Sequence, residues 1–306
     1  MNDLAIRVTD LKKSYGETQA LNGINLQVNT GEVFGIVGPN GAGKTTTIDC
    51  LAGMRKADSG AISVLGMDPS CEGRDLRKRI GLQQQESELP ERLKVKETLE
   101  LFSNLYGTSA DCSRLLSRVG LSEKEESCFS ALSGGQKKRL FVALALVNDP
   151  ELIILDELTS GLDPAGRRQL WSLVEEFGSD NRTVILSTHY MDEAEKLCDR
   201  VAIVDRGRVI AVDTPEALVK KYCPGMLLTL GCGKEFNRDI ALRIQGVVKA
   251  DMNGEECVME LTGPDVVVPV IQNLSEAGIN LGNLHTKTPT LEDVFLAATG
   301  EEYSNE

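Results

Sequence analysis

Histidine is nearly absent from this chain, which contains two. Its eight cysteines, at positions 50, 71, 112, 128, 198, 223, 232 and 257, include no Cys-x-x-Cys pair. Structural zinc needs clustered thiolate and imidazole ligands, so no zinc centre is expected. Scattered thiols without a pairing pattern fit a reduced, cytosolic protein with mostly buried cysteines. Long apolar runs are missing as well. A membrane span needs ~18 apolar residues, and the longest run here, residues 140–147, has eight. The opening Met1-Asn2-Asp3 lacks the basic and then apolar pattern of a signal peptide. The expectation is therefore a chain that stays in the cytosol or reaches a membrane through a partner. Positive charge is outweighed: 33 Lys and Arg face 46 Asp and Glu, a net charge of −13. That balance argues against broad binding to nucleic acid or to an anionic membrane. No internal repeat or low-complexity segment is evident.

What is present is the composition of a folded protein, 41% hydrophobic and 26% charged over 306 residues. That length accommodates one large domain, or one with a smaller companion. The strongest local pattern is Gly38-Pro39-Asn40-Gly41-Ala42-Gly43-Lys44-Thr45, followed by Thr46. It has the form G-x-x-x-x-G-K-T of a phosphate-cradling loop. Residues 33–37 before it read as a short buried strand. Residues 45–52 after it read as a helix stopped by Gly53. Glycines let successive backbone N–H groups point at phosphate oxygens, and the helix end adds unpaired donors. Lys44 suits the β- and γ-phosphates, and the Thr45 hydroxyl suits Mg²⁺.

Along the chain, residues 5–9 alternate as a strand, and Ile24, Leu26 and Val28 form a second alternating set. Lys13-Ser14-Tyr15-Gly16 between them reads as a turn carrying an aromatic ring. Residues from about 86 to 148 read as mainly helical. Val95, Leu99, Phe102 and Tyr106 share one apolar face, with Gly107 as the stop. A second helix covers residues 111–119, and Leu132-Ser133-Gly134-Gly135-Gln136 opens a third. Residues 152–155 form a continuous apolar run of the kind buried on both faces, ending in Asp156-Glu157. Pro164 starts a helix with Gly178 placed past its end. Residues 183–186 are another buried strand, ending at Ser187-Thr188-His189. Residues 201–204 and 208–211 flank a hairpin turn. From about Gly225 strands are expected at 226–230, 247–250, 257–261 and 279–285, with helices at 236–244 and 266–277. The order β-α-β-β-α-β suggests a ferredoxin-like domain. Thr290 caps a last short helix ended by Gly300.

Asp156 and Glu157 end a buried strand, where ligands bind in open α/β sheets. An Asp there can hold Mg²⁺, and the adjacent Glu can act on an attacking water. With Leu132-Ser133-Gly134-Gly135-Gln136 in place, the chain resembles the ATP-binding cassette (ABC) ATPases over residues 4–220. The other motifs of that family fall in order. Gln85, in Ile80-Gly81-Leu82-Gln83-Gln84-Gln85, resembles the glutamine loop, with Gln83 and Gln84 as neighbouring registers. Ser160-Gly161-Leu162-Asp163 resembles the loop after the acidic strand. His189 resembles the histidine switch, or is an ordinary polar residue at a strand end. Tyr15 resembles the aromatic that stacks on adenine, or is a surface turn residue. Leu291-Glu292-Asp293-Val294-Phe295-Leu296 is similar to the end of ATPase subunits from exporters whose permease is a separate polypeptide.

The resemblance implies a P-loop ABC ATPase fold at residues 1–222. It has an antiparallel N-terminal sheet and a helical subdomain at about 86–148. A small α+β domain is expected at 223–306. It implies ATP and Mg²⁺, with Glu157, His189 and Gln85 catalytic and Thr45, Gln85 and Asp156 at the metal. Ser133, Gly134, Gly135, Gln136 and Asp163 would join the nucleotide contacts. It implies a homodimer, or a dimer of two ATPases, with ATP sandwiched between facing copies. A separate permease would hold the chain at the cytoplasmic face of the plasma membrane, without direct insertion. The competing expectation is a soluble ATPase of the same type acting on ribosomes or DNA. One departure is Leu158, where the family usually has proline; a loop without that stiffening predicts looser support for Glu157.

Overall fold

The structure is a computed structural model that describes residues 3–85, 87–223, 225–231, 238–253, 256–279 and 281–299. Glu86, Cys232, Phe236 and Gly300, to which the sequence assigned element boundaries or thiols, lie outside the described residues. The chain divides into two compact units, one up to Pro215 and one from Glu216.

The first unit opens with β1 (Leu4–Tyr15) and β2 (Thr18–Asn29), an antiparallel hairpin. β1 runs through Lys13-Ser14-Tyr15, so the turn is shorter than the sequence suggested. The alternation of β1 breaks because Asp10 takes φ 47° and the register shifts between Val8 and Leu11. A bulge of this kind inserts one residue without ending the strand. β3 (Val33–Val37) then feeds α1 (Lys44–Leu51). β4 (Ser59–Val64) pairs with the free side of β1. α2 (Pro69–Arg79) is capped by Asp68, which accepts from the Ser70 N–H at 2.8 Å, and leads into β5 (Ile80–Gln83).

Three helices follow: α3 (Val95–Tyr106), α4 (Cys112–Arg118) and α5 (Gly134–Ala145). Gly107, at φ 68°, ends α3, in the left-handed conformation that favours glycine. Ser133 and Gln136 form a reciprocal cap on α5. Its two bonds are Gln136 N to Ser133 Oγ at 3.3 Å and Ser133 N to Gln136 Oε1 at 2.9 Å. β6 (Leu152–Asp156), α6 (Pro164–Ser179), β7 (Thr183–Thr188), α7 (Met191–Leu197), β8 (Arg200–Asp205) and β9 (Arg208–Asp213) complete the unit. Gly178 lies inside α6 rather than beyond it. A Cβ there would come within 3.0 Å of Val33 Cγ2, so the glycine serves helix–strand contact. The positive φ that ends the segment falls on Asn181 at 57° instead.

The large sheet has the order β5-β6-β7-β3-β8-β9. Its first five strands are parallel and β9 is antiparallel. β3, β6 and β7 are buried at every residue, as a sheet covered on both faces requires. Phe34, Ile36, Ile154 and Ile185 join the core that also holds the hairpin's Ile6, Leu11 and Ile24. Each such side chain stabilises by roughly 1.5–3 kcal/mol through burial. Parallel neighbours start and end together. The segments after β3, β6 and β7, adjacent in the sheet, therefore emerge at one edge.

The second unit begins with α8 (Pro215–Tyr222), followed by β10 (Met226–Gly231), α9 (Arg238–Leu242), β11 (Val247–Asn253) and β12 (Glu256–Leu261). α10 (Val267–Glu276), β13 (Gly282–Lys287) and α11 (Leu291–Thr299) follow. The sheet order β11-β12-β10-β13, antiparallel throughout, is that of a ferredoxin-like fold. Leu228, Leu230, Met259 and Leu261 of the sheet pack with Ala241 of α9 and Val270 and Leu274 of α10. The last strand starts later than the alternation suggested, at Gly282 rather than Ile279.

Candidate nucleotide site

The loop from Gly38 to Gly43 leaves β3 and enters α1. Two of its glycines are dictated by geometry. A Cβ on Gly38 would lie 2.1 Å from the Val204 carbonyl oxygen. Gly43 sits at φ 105°, and its Cβ would lie 2.7 Å from the Ala20 carbonyl oxygen. Asn40 and Gly41 are exposed at the tip, while Ala42 is buried and accepts at its carbonyl from Gly207 N at 2.9 Å. Pro39 accepts from Ala42 N at 3.2 Å.

Lys44 is only 4% exposed. Its ammonium donates to the Gly38 and Pro39 carbonyls at 2.9 and 3.1 Å and stands 3.4 Å from Glu157 Oε1. Burial pulls the Lys44 pKa below its ordinary value, against the upward pull of Glu157 and Asp156. Thr45 is exposed at the first turn of α1, with Thr46 beside it partly covered. The Thr45 hydroxyl lies 3.5 Å from Asp156 Oδ1, which also accepts from the Ser187 hydroxyl. Burial raises the Asp156 carboxyl pKa, while those two hydroxyls and Lys44 hold it down.

Glu157 is the centre of the constellation. Gln85 donates from Nε2 to its Oε2 at 3.0 Å. His189 Nδ1 stands 3.4 Å from its Oε1 without a hydrogen-bonding alignment, and that buried nitrogen has no partner. Glu157 adopts φ 46°, a left-handed conformation that costs a non-glycine residue free energy and is found at active sites. Its N–H lies 3.1 Å from both the Ser187 carbonyl and the Ser187 hydroxyl. Leu158 is 1% exposed, and Ser160 N donates to the Glu157 carbonyl at 3.2 Å. The leucine side chain is thus packed into the interior at the point where the loop leaves Glu157.

Lys44, Thr45, Gln85, Asp156, Glu157 and His189 thus converge. Of the three consecutive glutamines only Gln85 reaches Glu157. Gln83 is buried within β5. Other predicted residues stand elsewhere in the unit. Tyr15 is 41% exposed, with the Arg55 guanidinium 5.1 Å and the Lys13 ammonium 5.8 Å from its ring. Ser133, Gly134, Gly135 and Gln136 form the capped start of α5, with Ser133 and Gly134 open to solvent. Asp163 caps α6, accepting from Gly166 N at 3.3 Å.

Two supporting residues escaped the sequence reading. Ser187 ties Asp156 to β7. Lys138, one turn into α5, donates to the carbonyls of Gln85 and Glu157 at 3.3 and 3.4 Å. Burial lowers the Lys138 pKa, with Glu157 and Asp156 opposing. Lys138 is the middle of three consecutive basic residues, Lys137-Lys138-Arg139, so nothing in the sequence set it apart from its neighbours.

Oxygen ligands at a cluster of this kind suit a hard divalent cation. Among the described residues there is no group of three or more His, Cys, Asp or Glu of metal-binding geometry.

An ABC transporter family profile matches residues 21–160. The chain is similar to the Nod factor export ATP-binding protein I of Rhizobium sp. (strain N33). That protein is 36% identical over 307 residues, covering 99% of both chains. It is also similar to the daunorubicin resistance ATP-binding protein DrrA3 of Streptomyces coeruleorubidus, 37% identical over 309 residues, 99% of this chain and 98% of that one. Among solved structures, a dimeric ATP-binding cassette in a post-hydrolysis state with ADP and Pi superposes with a TM-score of 0.63. Its identity is 25%, over 68% of this chain and 98% of that one.

Proposed function

This chain belongs to the ATP-binding proteins of ABC transporters, as the ATP-hydrolysing subunit of an exporter, and on that premise we infer how its residues perform the reaction. The single observation that carries the reading is the convergence of Lys44, Gln85, Asp156, Glu157 and His189 at one edge of four adjacent parallel strands.

Residues 38–45 cradle the triphosphate with backbone N–H groups, with Thr46 next in line on the first turn of α1. Lys44 turns its ammonium from the Gly38 and Pro39 carbonyls toward the β- and γ-oxygens. Thr45, Asp156 and Gln85 are the residues that would hold Mg²⁺, which when bound neutralises phosphate charge. Glu157 orients the attacking water and takes its proton, and His189 keeps Glu157 in line with the γ-phosphate. Positioning and electrostatics carry most of the barrier reduction in phosphoryl transfer. Tyr15 stacks on the adenine.

Ser133, Gly134 and Gly135 offer helix-start donors to the γ-phosphate of a second copy facing head to tail, with Gln136 locking that turn and Asp163 lining the junction. The open, solvent-facing start of α5 supports that assignment. A separate permease receives the helical region after Gln85, which places the chain at the cytoplasmic face of the membrane. No described helix is long and apolar enough to cross one. Residues 216–299 serve regulation or dimer support. The alternative of an ATPase acting on ribosomes or DNA is not favoured, since the relatives are named for export and drug resistance.

The test is Glu157→Gln, which keeps shape and hydrogen bonding but removes the charge. Turnover should fall by about 10²–10⁴, the range for loss of a general base, with ATP affinity retained. Normal hydrolysis by this variant would overturn the assignment.

A further inference from the structure

One carboxylate of the first unit is wholly buried and has no part in the site described above. Glu193 on α7 is 0% exposed. Its Oε1 accepts the Trp171 indole N–H of α6 at 2.9 Å. Burial raises the Glu193 pKa, while the hydroxyls of Thr188 and Thr159, with the Trp171 indole, face the same carboxyl and oppose that rise. Yet Glu193 Oε2 and Thr159 Oγ1 are both buried without a hydrogen-bond partner. Leaving a buried polar atom unpaired destabilises the folded chain, and here two such atoms belong to one cluster.

Their positions in the chain give the cluster a use. Thr159 is two residues beyond Glu157, in a loop that starts from a left-handed backbone conformation. Thr188 adjoins His189 and accepts from Tyr190 N at 2.9 Å. Glu193 therefore faces the two segments whose tips carry Glu157 and His189, groups that stand 3.4 Å apart without a hydrogen bond. We propose that Glu193 is a positioning residue: when the site engages nucleotide, its Oε2 takes the Thr159 hydroxyl, so that one carboxylate fixes the loop behind Glu157 and the strand end behind His189. The proposal rests on the reading of Glu157 and His189 given above. Arg167 borders the same cluster, bonded to Asp192 at 3.1 and 3.2 Å and stacked 4.2 Å from the Tyr190 ring.

The experiment uses the full chain and a probe it already contains, since Trp171 is its one tryptophan. Thr159→Val keeps the shape of the side chain and removes the hydroxyl. Glu193→Ala removes the carboxylate. Glu193→Gln keeps an acceptor for Trp171 and gains a donor for Thr159. Thr159→Val and Glu193→Ala should lower kcat by ~10–100-fold, the scale of a misplaced reacting group. ATP affinity should stay within about 3-fold, well under the tenfold that 1.4 kcal/mol represents. Glu193→Gln should restore most of the loss. ATP should shift the Trp171 emission of the wild type and of Glu193→Gln, but not of Thr159→Val. A Thr159→Val protein with wild-type kcat would overturn the proposal, as would one that loses affinity and kcat together. Failure of the underlying reading is separate: it would show as normal hydrolysis by Glu157→Gln.

Discussion

The two units treat buried polarity in opposite ways. Among the described residues, Thr229 is the one buried polar side chain of the second unit, whereas the first buries Lys44, Asp156, Glu157, His189 and Glu193 among others. Every described buried side-chain atom without a hydrogen-bond partner also lies in the first unit. The second unit keeps its charges outside, in pairs such as Lys249 with Asp251 and Lys287 with Asp293, where solvent screens them and they add little to stability. A parallel sheet buried on both faces leaves polar groups only its strand ends. There they stay desolvated and partly unpaired, at a cost in stability that a site for chemistry retains. A four-stranded antiparallel sheet has no such forced convergence.

The strongest way to break that contrast is to remove the cation at the phosphate loop. Lys44→Ala should reduce turnover by about 10²–10³, as for loss of one preorganised charge, and weaken ATP binding. Normal activity in a coupled ATPase assay would show that the convergence is not the site. Asp156→Asn sharpens it. This variant should lose about 10² in Mg²⁺-dependent turnover and yet melt higher than wild type without nucleotide. The sign follows from the raised carboxyl pKa: the ionised form opposes folding, so its cost appears as pH rises through the folded-state pKa. The gain in melting temperature should therefore be largest at neutral and alkaline pH and shrink on acidification.

Truncation probes the other side of the comparison. A chain ending at Lys221 should keep ATP affinity within about 3-fold, measured by titration calorimetry, while nucleotide-dependent dimerisation or coupled transport changes. Loss of binding would mean that the second unit supports the site. The smallest effect is expected from Leu158→Pro. Trimming this buried side chain should lower the melting temperature by about 2–4 °C, near 1 kcal/mol for a domain of this size, and leave turnover within about 3-fold.

Much of this was legible in the sequence, for identifiable reasons. The phosphate loop, the Ser133 cap and the stop at Gly107 are local chemistry, and local chemistry is written in consecutive residues. β3, β6 and β7 showed as apolar runs because both faces are covered. β4, α2 and β5 carried no comparable periodic signal. β1 outran its alternation because of the bulge at Asp10, and α6 ran through Gly178, where helix–strand contact outweighs helix propensity. Ser187, Lys138, Thr159 and Glu193 were invisible as a group. Their meaning lies in contacts across elements, such as Trp171 to Glu193 over 22 positions. The β-α-β-β-α-β order of the second unit was readable from pattern, but its strand limits shifted where turns replaced alternation.

In the proposed sandwich each ATP is held between the phosphate loop of one copy and Ser133-Gly134-Gly135 of another, with Glu157 driving its hydrolysis. Size-exclusion chromatography of Glu157→Gln with ATP and Mg²⁺ tests both parts together. A stable dimer is expected with ATP, a monomer without nucleotide, and a monomer again when Ser133→Arg is added to the same chain. A Glu157→Gln protein that stays monomeric at saturating ATP, or a dimer indifferent to Ser133→Arg, would contradict it.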